Sequence, residues 1–205
     1  MSNGGFHVGF EGLDGSGKTD LIESLAAYME SKGRSVHKTK EPGNNPLGKA
    51  HRELSKIEEV NSYTLILTTT AERSLKTKDI SEKLEAGDVV LSDRYYVSGL
   101  AYHHAVDGVS FSEYAKLNED IIKPDVYVYL DIEVNAAKTR IKESRKSKPD
   151  RWENRLEAVK KSYEDAITYV EENEEARVIR IDASQDREKV LSDVIAGLEE
   201  YMGYV

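Results

Sequence analysis

Residues 6–19 read Phe6-His7-Val8-Gly9-Phe10-Glu11-Gly12-Leu13-Asp14-Gly15-Ser16-Gly17-Lys18-Thr19. Phe6, Val8 and Phe10 alternate like the apolar face of a strand, and Leu21, Ile22, Leu25, Ala26 and Met29 follow at helical spacing. Between them, Gly12 to Thr19 matches the phosphate-binding pattern G-x-x-x-x-G-K-[ST] in the strand–loop–helix setting that it requires. Gly12, Gly15 and Gly17 let the backbone curl so that its N–H groups form an anion nest at the positive end of the next helix. Lys18 is then expected to reach the β- and γ-phosphates, and the Thr19 hydroxyl to ligate magnesium. A glycine-rich turn can be a plain connection, but three glycines, Lys-Thr, a strand before and a helix after point to a nucleoside triphosphate site.

The rest of the chain supplies a matching frame. Apolar runs at Ser35–Lys40, Val89–Leu91, Val126–Leu130 and Arg177–Ile181 read as four more strands. Helical patterns lie between them at Leu47–Val60, Tyr63–Ala86, Val97–His104, Phe111–Ile122, Val134 onward, Trp152–Val170 and Asp186–Tyr201. Five strands separated by helices predict an α/β fold, a five-stranded parallel sheet with helices on both faces. At 205 residues one domain over 1–205 is expected. Three consecutive β-branched residues, Thr68 to Thr70, fit the second long helix poorly.

Composition narrows the function. There is no cysteine, hence no disulfide or thiolate metal site. No signal pattern or membrane-spanning apolar run is seen, and a cytoplasmic protein is expected, with no membrane partner. A net charge of −9 argues against broad adhesion to nucleic acid, so anions must be gripped by local clusters. Three such places stand out. Glu41-Pro42-Gly43-Asn44-Asn45-Pro46 is a turn-rich loop at a strand exit, where open α/β sheets place ligands, although a plain surface turn has the same chemistry. Asp93 and Arg94 leave the third strand together, placed to meet metal and phosphate unless they form only a local ion pair. A basic run over about 142–151 reads as a flap over a triphosphate, the other reading being a solvated charged face. His103 and His104 are adjacent, so on a helix they diverge and do not form a zinc pair.

With these motifs in order, the chain resembles the thymidylate kinase family, nearly end to end. The resemblance rests on Phe10 to Thr19, on Lys40-Glu41-Pro42-Gly43 with Pro46-Leu47-Gly48, on Asp93-Arg94-Tyr95 leading to Ser98-Gly99-Leu100-Ala101-Tyr102, and on Pro124-Asp125-Val126 through Leu130-Asp131. It implies a P-loop kinase fold, a homodimer, and transfer of a phosphoryl group from ATP to dTMP with Mg2+. It further implies that Gly12, Leu13, Asp14, Gly15, Ser16, Gly17, Lys18, Thr19, Asp20 and Arg140 bind ATP, with Thr19 and Asp93 at the metal. The acceptor set it implies is Glu41, Pro42, Arg52, Thr69, Arg73, Arg94, Tyr95, Ser98, Tyr102 and His103. In that set Arg94 binds the acceptor phosphate, Arg73 hydrogen-bonds the base and Tyr102 lies beside the deoxyribose. Asp14, Lys18 and Arg94 are the catalytic residues, joined by Arg145 or Arg151 because the phosphate loop offers Gly15 and Ser16 in place of an arginine.

Four residues depart from the family pattern. Asp20 stands for a serine or threonine, Thr69 for an aromatic that stacks on thymine, His103 for a glutamine and Lys40 for an arginine. Two other readings follow from them: a related kinase with another acceptor, such as dUMP, another pyrimidine monophosphate or a deoxynucleoside, with Glu41 the residue placed to take a hydroxyl proton; or a nucleotide-binding regulator without transfer.

Overall fold

The computed structural model describes residues 4–144 and 153–202. Each of the five apolar runs forms a strand: β1 (Phe6–Gly12), β2 (Val36–Lys40), β3 (Val89–Asp93), β4 (Val126–Asp131) and β5 (Val178–Asp182). They pair in the order β2-β3-β1-β4-β5, all parallel, with Phe10 and Lys40 both level with Asp93, and Gly12 level with Leu130. Every residue of β3 is buried, as are all but the first of β1 and the last of β4. The edges β2 and β5 are only partly covered. Strands buried on both sides need helices on both faces, which is why β3 and β4 read as continuous apolar runs, whereas the middle strand β1 buries His7 and Glu11 between its apolar residues.

The connections assign the faces. The crossover from β1 to β2 passes over the sheet in one direction, and those from β2 to β3, β3 to β4 and β4 to β5 in the other. Right-handed crossovers therefore put α1 (Lys18–Ser31) on one face. They put α3 (Ser62–Glu85), α4 (Tyr96–Asp107) and α7 (Leu156–Glu174) on the opposite face. The closing helix α8 (Arg187–Met202) packs beside α1, and α4 packs along α7. Val159, Tyr163, Ala166, Ile167 and Val170 form the buried stripe of α7. Three shorter helices complete the frame: α2 (Pro46–Leu54), α5 (Phe111–Leu117) and α6 (Val134–Ser144). No helix among the described residues is long and apolar enough to cross a membrane.

Some boundaries differ from the sequence expectation for identifiable reasons. The expected helix over 47–60 is confined to α2, where Pro46 takes the first position and the Asn45 side chain accepts from Gly48 N at 2.8 Å. The expected helix over 111–122 stops at Leu117, because the Asn118 side chain is drawn inward to Arg73 and to the Tyr114 carbonyl. α4 is longer than expected and runs on to Asp107. The three threonines stay helical: the Thr68 and Thr69 hydroxyls donate back to the carbonyls of Thr64, Leu65 and Ile66. Arg145, Arg151, Trp152 and most of the basic segment lie outside the described residues.

Candidate active site

The phosphate loop closes tightly on its neighbours. Gly12 has φ 138°, and a Cβ there would stand 2.6 Å from the Leu130 carbonyl oxygen; Gly15 has φ 79°, with Ala137 O of α6 at 2.7 Å from the same hypothetical atom. Any side chain at either position would push the loop off β4 or α6. Lys18 is buried, and its Nζ donates to Gly12 O at 3.0 Å, Leu13 O at 2.8 Å and Ser16 Oγ at 3.2 Å. Burial and the nearby Arg94 cation lower its pKa to about 7, against the pull of Asp14, Asp93 and Glu11. An arriving polyphosphate would stabilise its charged form.

Beside the loop, Thr19 Oγ1 donates to Asp93 Oδ2 at 2.7 Å, and Lys40 Nζ donates to the same oxygen at 2.8 Å. The parallel register produces this corner, because Lys40 and Asp93 end their strands side by side. Burial pulls the Asp93 pKa up, but Lys18, Lys40 and Thr19 outweigh it and the carboxyl titrates below its ordinary value. A hydroxyl and an ionised carboxylate in contact suit a hard divalent cation whose other ligands are phosphate oxygens and water. Among the described residues no three His, Cys, Asp or Glu side chains cluster as a self-sufficient metal site.

Arg94 follows β3 with φ 66°, in the left-handed region that residues other than glycine seldom adopt. The turn aims its guanidinium back over the loop. Nη1 donates to Gly12 O at 3.0 Å, Ser98 Oγ at 3.2 Å and Tyr163 Oη at 2.9 Å, and Nη2 to Asp14 Oδ1 at 2.6 Å and Tyr102 Oη at 3.3 Å. Although partial burial opposes it, Arg94 and Lys18 hold the Asp14 carboxyl at about 2, so it is ionised at neutral pH. Tyr95 N and Ser98 Oγ both donate to the buried Glu11 carboxylate beneath the turn.

The far wall is a polar lattice. Arg73 on α3 is buried, with Nε and Nη2 on the Glu41 carboxylate at 2.5–3.2 Å and Nη1 on Asn118 Oδ1 at 2.5 Å and Tyr114 Oη at 3.2 Å. Arg52 Nη1 donates to the carbonyls of Pro42 and Gly43 at 2.8 and 2.7 Å, pinning the turn-rich loop. Glu72 Oε1 holds the other side of that loop through Gly43 N at 2.7 Å. His103 Nδ1 meets Asp107 Oδ2 at 2.9 Å, and the ring stacks on Tyr114 at 5.6 Å. Asp107 is held in turn by Ser62 Oγ at 2.6 Å.

These parts line one cleft of about 990 Å3. Of the residues expected from the sequence, Asp14 to Asp20, Glu41, Pro42, Arg52, Thr69, Arg73, Asp93 to Tyr95, Ser98, Tyr102, His103 and Arg140 all border it. Gly12 and Leu13 sit behind the loop and do not, and Arg145 and Arg151 fall outside the described residues. Asp20 pairs with Arg187 of α8 at 2.9 Å, both of them bordering the cleft. Arg140 of α6 bridges Gly15 O at 3.4 Å and Ala183 O at 3.2 Å, marking the end of the cleft nearest β5. The expected role of Glu41 as a proton acceptor does not fit its bonds, since both oxygens are committed to Arg73.

Several contributors were not singled out from the sequence. Glu11 interrupts an apolar strand, which is the one local sign that it serves the site. Tyr114 of α5 borders the cleft, and Tyr163 of α7 and Asn118 just after α5 support it through Arg94 and Arg73, by long-range packing that no local pattern encodes. His51 of α2 lines the cleft with its Nδ1 buried and unpartnered, and burial first, then the neighbouring His103, lower its pKa to about 4.

Comparison with known proteins follows the same line. A family model described as thymidylate kinase matches residues 10–194. The chain is 34% identical over 203 residues to a thymidylate kinase of Sulfurihydrogenibium sp., covering 96% of this chain and 98% of the relative. It is 30% identical over 194 residues to a thymidylate kinase of Leuconostoc mesenteroides subsp. mesenteroides, covering 91% of each. With a protein of Thermococcus kodakarensis named probable thymidylate kinase it shares 35% identity over 205 residues, 94% of this chain and 97% of the relative.

Proposed function

This chain belongs to the thymidylate kinase family, and on that premise we propose that it transfers the γ-phosphoryl group of ATP to the phosphate of dTMP in the formation of dTTP. The observation that carries the reading is the meeting of two anion grips side by side in one cleft. The phosphate loop with Lys18 forms one, and Arg94, raised on a left-handed turn 3.0 Å from the loop's own Gly12 carbonyl, forms the other.

In the transfer, an oxygen of the acceptor phosphate bonds to the γ-phosphorus as the bond to the bridging oxygen breaks, leaving ADP and dTDP. The acceptor is already ionised, so positioning and charge neutralisation do the chemistry and no strong base is needed. Lys18 takes the β- and γ-phosphates, Arg94 the acceptor phosphate, and Asp14, ionised and bonded to Arg94, sets that guanidinium's orientation. Mg2+ fits beside Thr19 and Asp93 and, when bound, supplies charge neutralisation at the phosphate oxygens. The further transition-state charge that the phosphate loop lacks is assigned, on the resemblance alone, to Arg145 or Arg151, which lie outside the described residues.

At the acceptor end, Thr69, His103, His51 and Tyr114 make a wall of hydrogen-bonding groups around the Arg73–Glu41 pair. Homodimer formation is proposed through α3, whose Tyr63, Leu67 and Leu75 present exposed apolar groups along one side of the helix. The protein is assigned to the cytoplasm, without nucleic-acid or membrane partners.

The test is ADP release measured with a panel of monophosphates and deoxynucleosides. Turnover dependent on dTMP supports the proposal. Turnover only with another acceptor, such as dUMP, would shift the assignment to a related kinase, and nucleotide binding without turnover would make the chain a regulator.

A further inference from the structure

Glu11 has no part in the transfer as described, yet it is fully buried directly behind the arginine that holds the acceptor phosphate. Its Oε1 accepts from Tyr95 N at 3.1 Å, and its Oε2 accepts from Ser98 Oγ. Ser98 Oγ accepts from Arg94 Nη1 at 3.2 Å and, its own proton being given to Glu11, from Tyr163 Oη at 2.8 Å. The backbone of Arg94 is fixed from the same strand, its N donating to Phe10 O at 3.0 Å. One carboxylate thus holds the residue after the left-handed turn and the hydroxyl beneath the guanidinium.

We propose that Glu11 is a positioning residue for Arg94, and that it takes up a proton when the acceptor phosphate binds. The inference rests on the assignment of Arg94 to that phosphate. The groups facing Glu11 are Arg94 at the β3 exit, Lys18 of α1, Ser98 of α4, Tyr127 of β4 and Tyr163 of α7. Of these only Arg94 and Lys18 are cationic. Burial pushes the Glu11 carboxyl up to about 7, with Ser98, Arg94 and Lys18 holding it from going higher. A phosphate dianion on Arg94 offsets the nearest of those cations and adds like charge, and both effects favour the protonated acid. The clamp survives the change: the protonated oxygen donates to Ser98 Oγ, whose own proton turns to Tyr163 Oη, while Oε1 keeps the Tyr95 N–H. What disappears is the negative charge behind the arginine.

The experiment is calorimetric titration of dTMP into the full chain at pH 8, in two buffers of different ionisation enthalpy, for the wild type and Glu11→Gln. Glutamine keeps both bonds, donating to Ser98, but has nothing to protonate. The wild type is expected to take up close to one proton more than Glu11→Gln, and its dTMP affinity should fall several-fold more than the variant's between pH 6.5 and 8.5. Lys18 also titrates, and because Glu11 pulls its pKa up it shifts in the variant, so the infrared carboxyl band is what separates the two groups. Glu11→Ala, lacking the clamp, should raise the dTMP KM about tenfold or more with the ATP KM within threefold, and Glu11→Gln should restore it. As a check needing no variant, infrared difference spectra of the wild type at pH 8 should gain a protonated-carboxyl band on adding dTMP. Equal proton uptake by two proteins that both bind dTMP, or no such band, overturns the inference and leaves the acceptor site standing. Failure of the wild type to bind dTMP would remove the acceptor assignment and this inference with it.

Discussion

Replacing Arg94 separates what its side chain does from what its backbone costs. The guanidinium makes hydrogen bonds to five protein oxygens and, on the proposed assignment, would present its fork to the acceptor phosphate. Bonds to charged groups contribute roughly 1.5–3 kcal/mol each, so losing even one should raise the dTMP KM about 10- to 150-fold. Arg94→Ala and Arg94→Gly should therefore fail alike toward dTMP. They should differ in stability, because a non-glycine residue at φ 66° stores strain on the order of 1 kcal/mol that glycine does not. In a chain of this size that difference corresponds to a melting temperature about 2–4 °C higher for Arg94→Gly. The ATP KM should not rise in either variant. Arg94 is one of the influences that lower the Lys18 pKa, so its removal leaves the lysine more fully charged toward the donor. Coupled ADP-release kinetics with each substrate varied at saturation of the other, together with thermal melts, measure all of this. A dTMP KM within threefold of the wild type, or dTMP and ATP KM values rising in parallel, would refute the assignment of Arg94 to the acceptor.

Other variants probe neighbouring links. Lys18→Ala should abolish transfer while retaining dTMP binding by calorimetry, since its three bonds all lie within the phosphate loop; turnover above a few per cent would contradict its role. Arg73→Met leaves Glu41 buried without its cation and should cost about 3–5 kcal/mol in denaturant unfolding. The double variant Arg73→Met/Glu41→Gln should recover a clear part of that loss, and strict additivity would show that the pair is not coupled. Stability should also carry a signature of Glu11, whose pKa is raised from 4.5 to about 7 on folding. Such an acid favours the folded state fully below its unfolded pKa and loses that contribution as pH rises through 7. Glu11→Gln should accordingly gain stability relative to the wild type between pH 5 and 8, as read by guanidinium unfolding at several pH values, whereas a constant difference would place the carboxyl pKa elsewhere.

The phosphate loop was legible because everything it needs is local: glycines, Lys-Thr, a strand before and a helix after. The α/β alternation gave the parallel sheet, though not the order β2-β3-β1-β4-β5, which depends on which strand exits meet. The Thr19–Asp93–Lys40 corner exists only because Lys40 and Asp93 end their strands in register, something neither motif states alone. Arg73 and Glu41, 32 positions apart, could be marked as acceptor residues by resemblance, but their pairing with each other comes from packing. Asn118 shows the same limit in reverse: periodicity carried α5 on toward Pro124, and the buried side-chain bonds of Asn118 to Arg73 and to the Tyr114 carbonyl ended it earlier.

The way each cation is paired also says which of them can meet a ligand. Burying a charge is tolerable only with a partner, so the cleft supplies one to each of its arginines and lysines. The Arg73–Glu41 pair is closed, with side-chain exposures of 1% and 7% and further bonds from Asn118 and Tyr114; exchanging its carboxylate for a ligand would strand Glu41 in the interior. Arg94 and Lys40 are different, because in each pair one member faces water: Asp14 is 48% exposed beside Arg94, and Lys40 is 55% exposed beside Asp93. There a phosphate or a metal can take over one partner while the other is resolvated at little cost. On the proposed assignment Lys40 would yield Asp93 to a metal and Arg94 would turn its fork to the acceptor phosphate with Asp14 still at its other edge, whereas Arg73 would stay paired and shape the acceptor pocket through its fixed guanidinium.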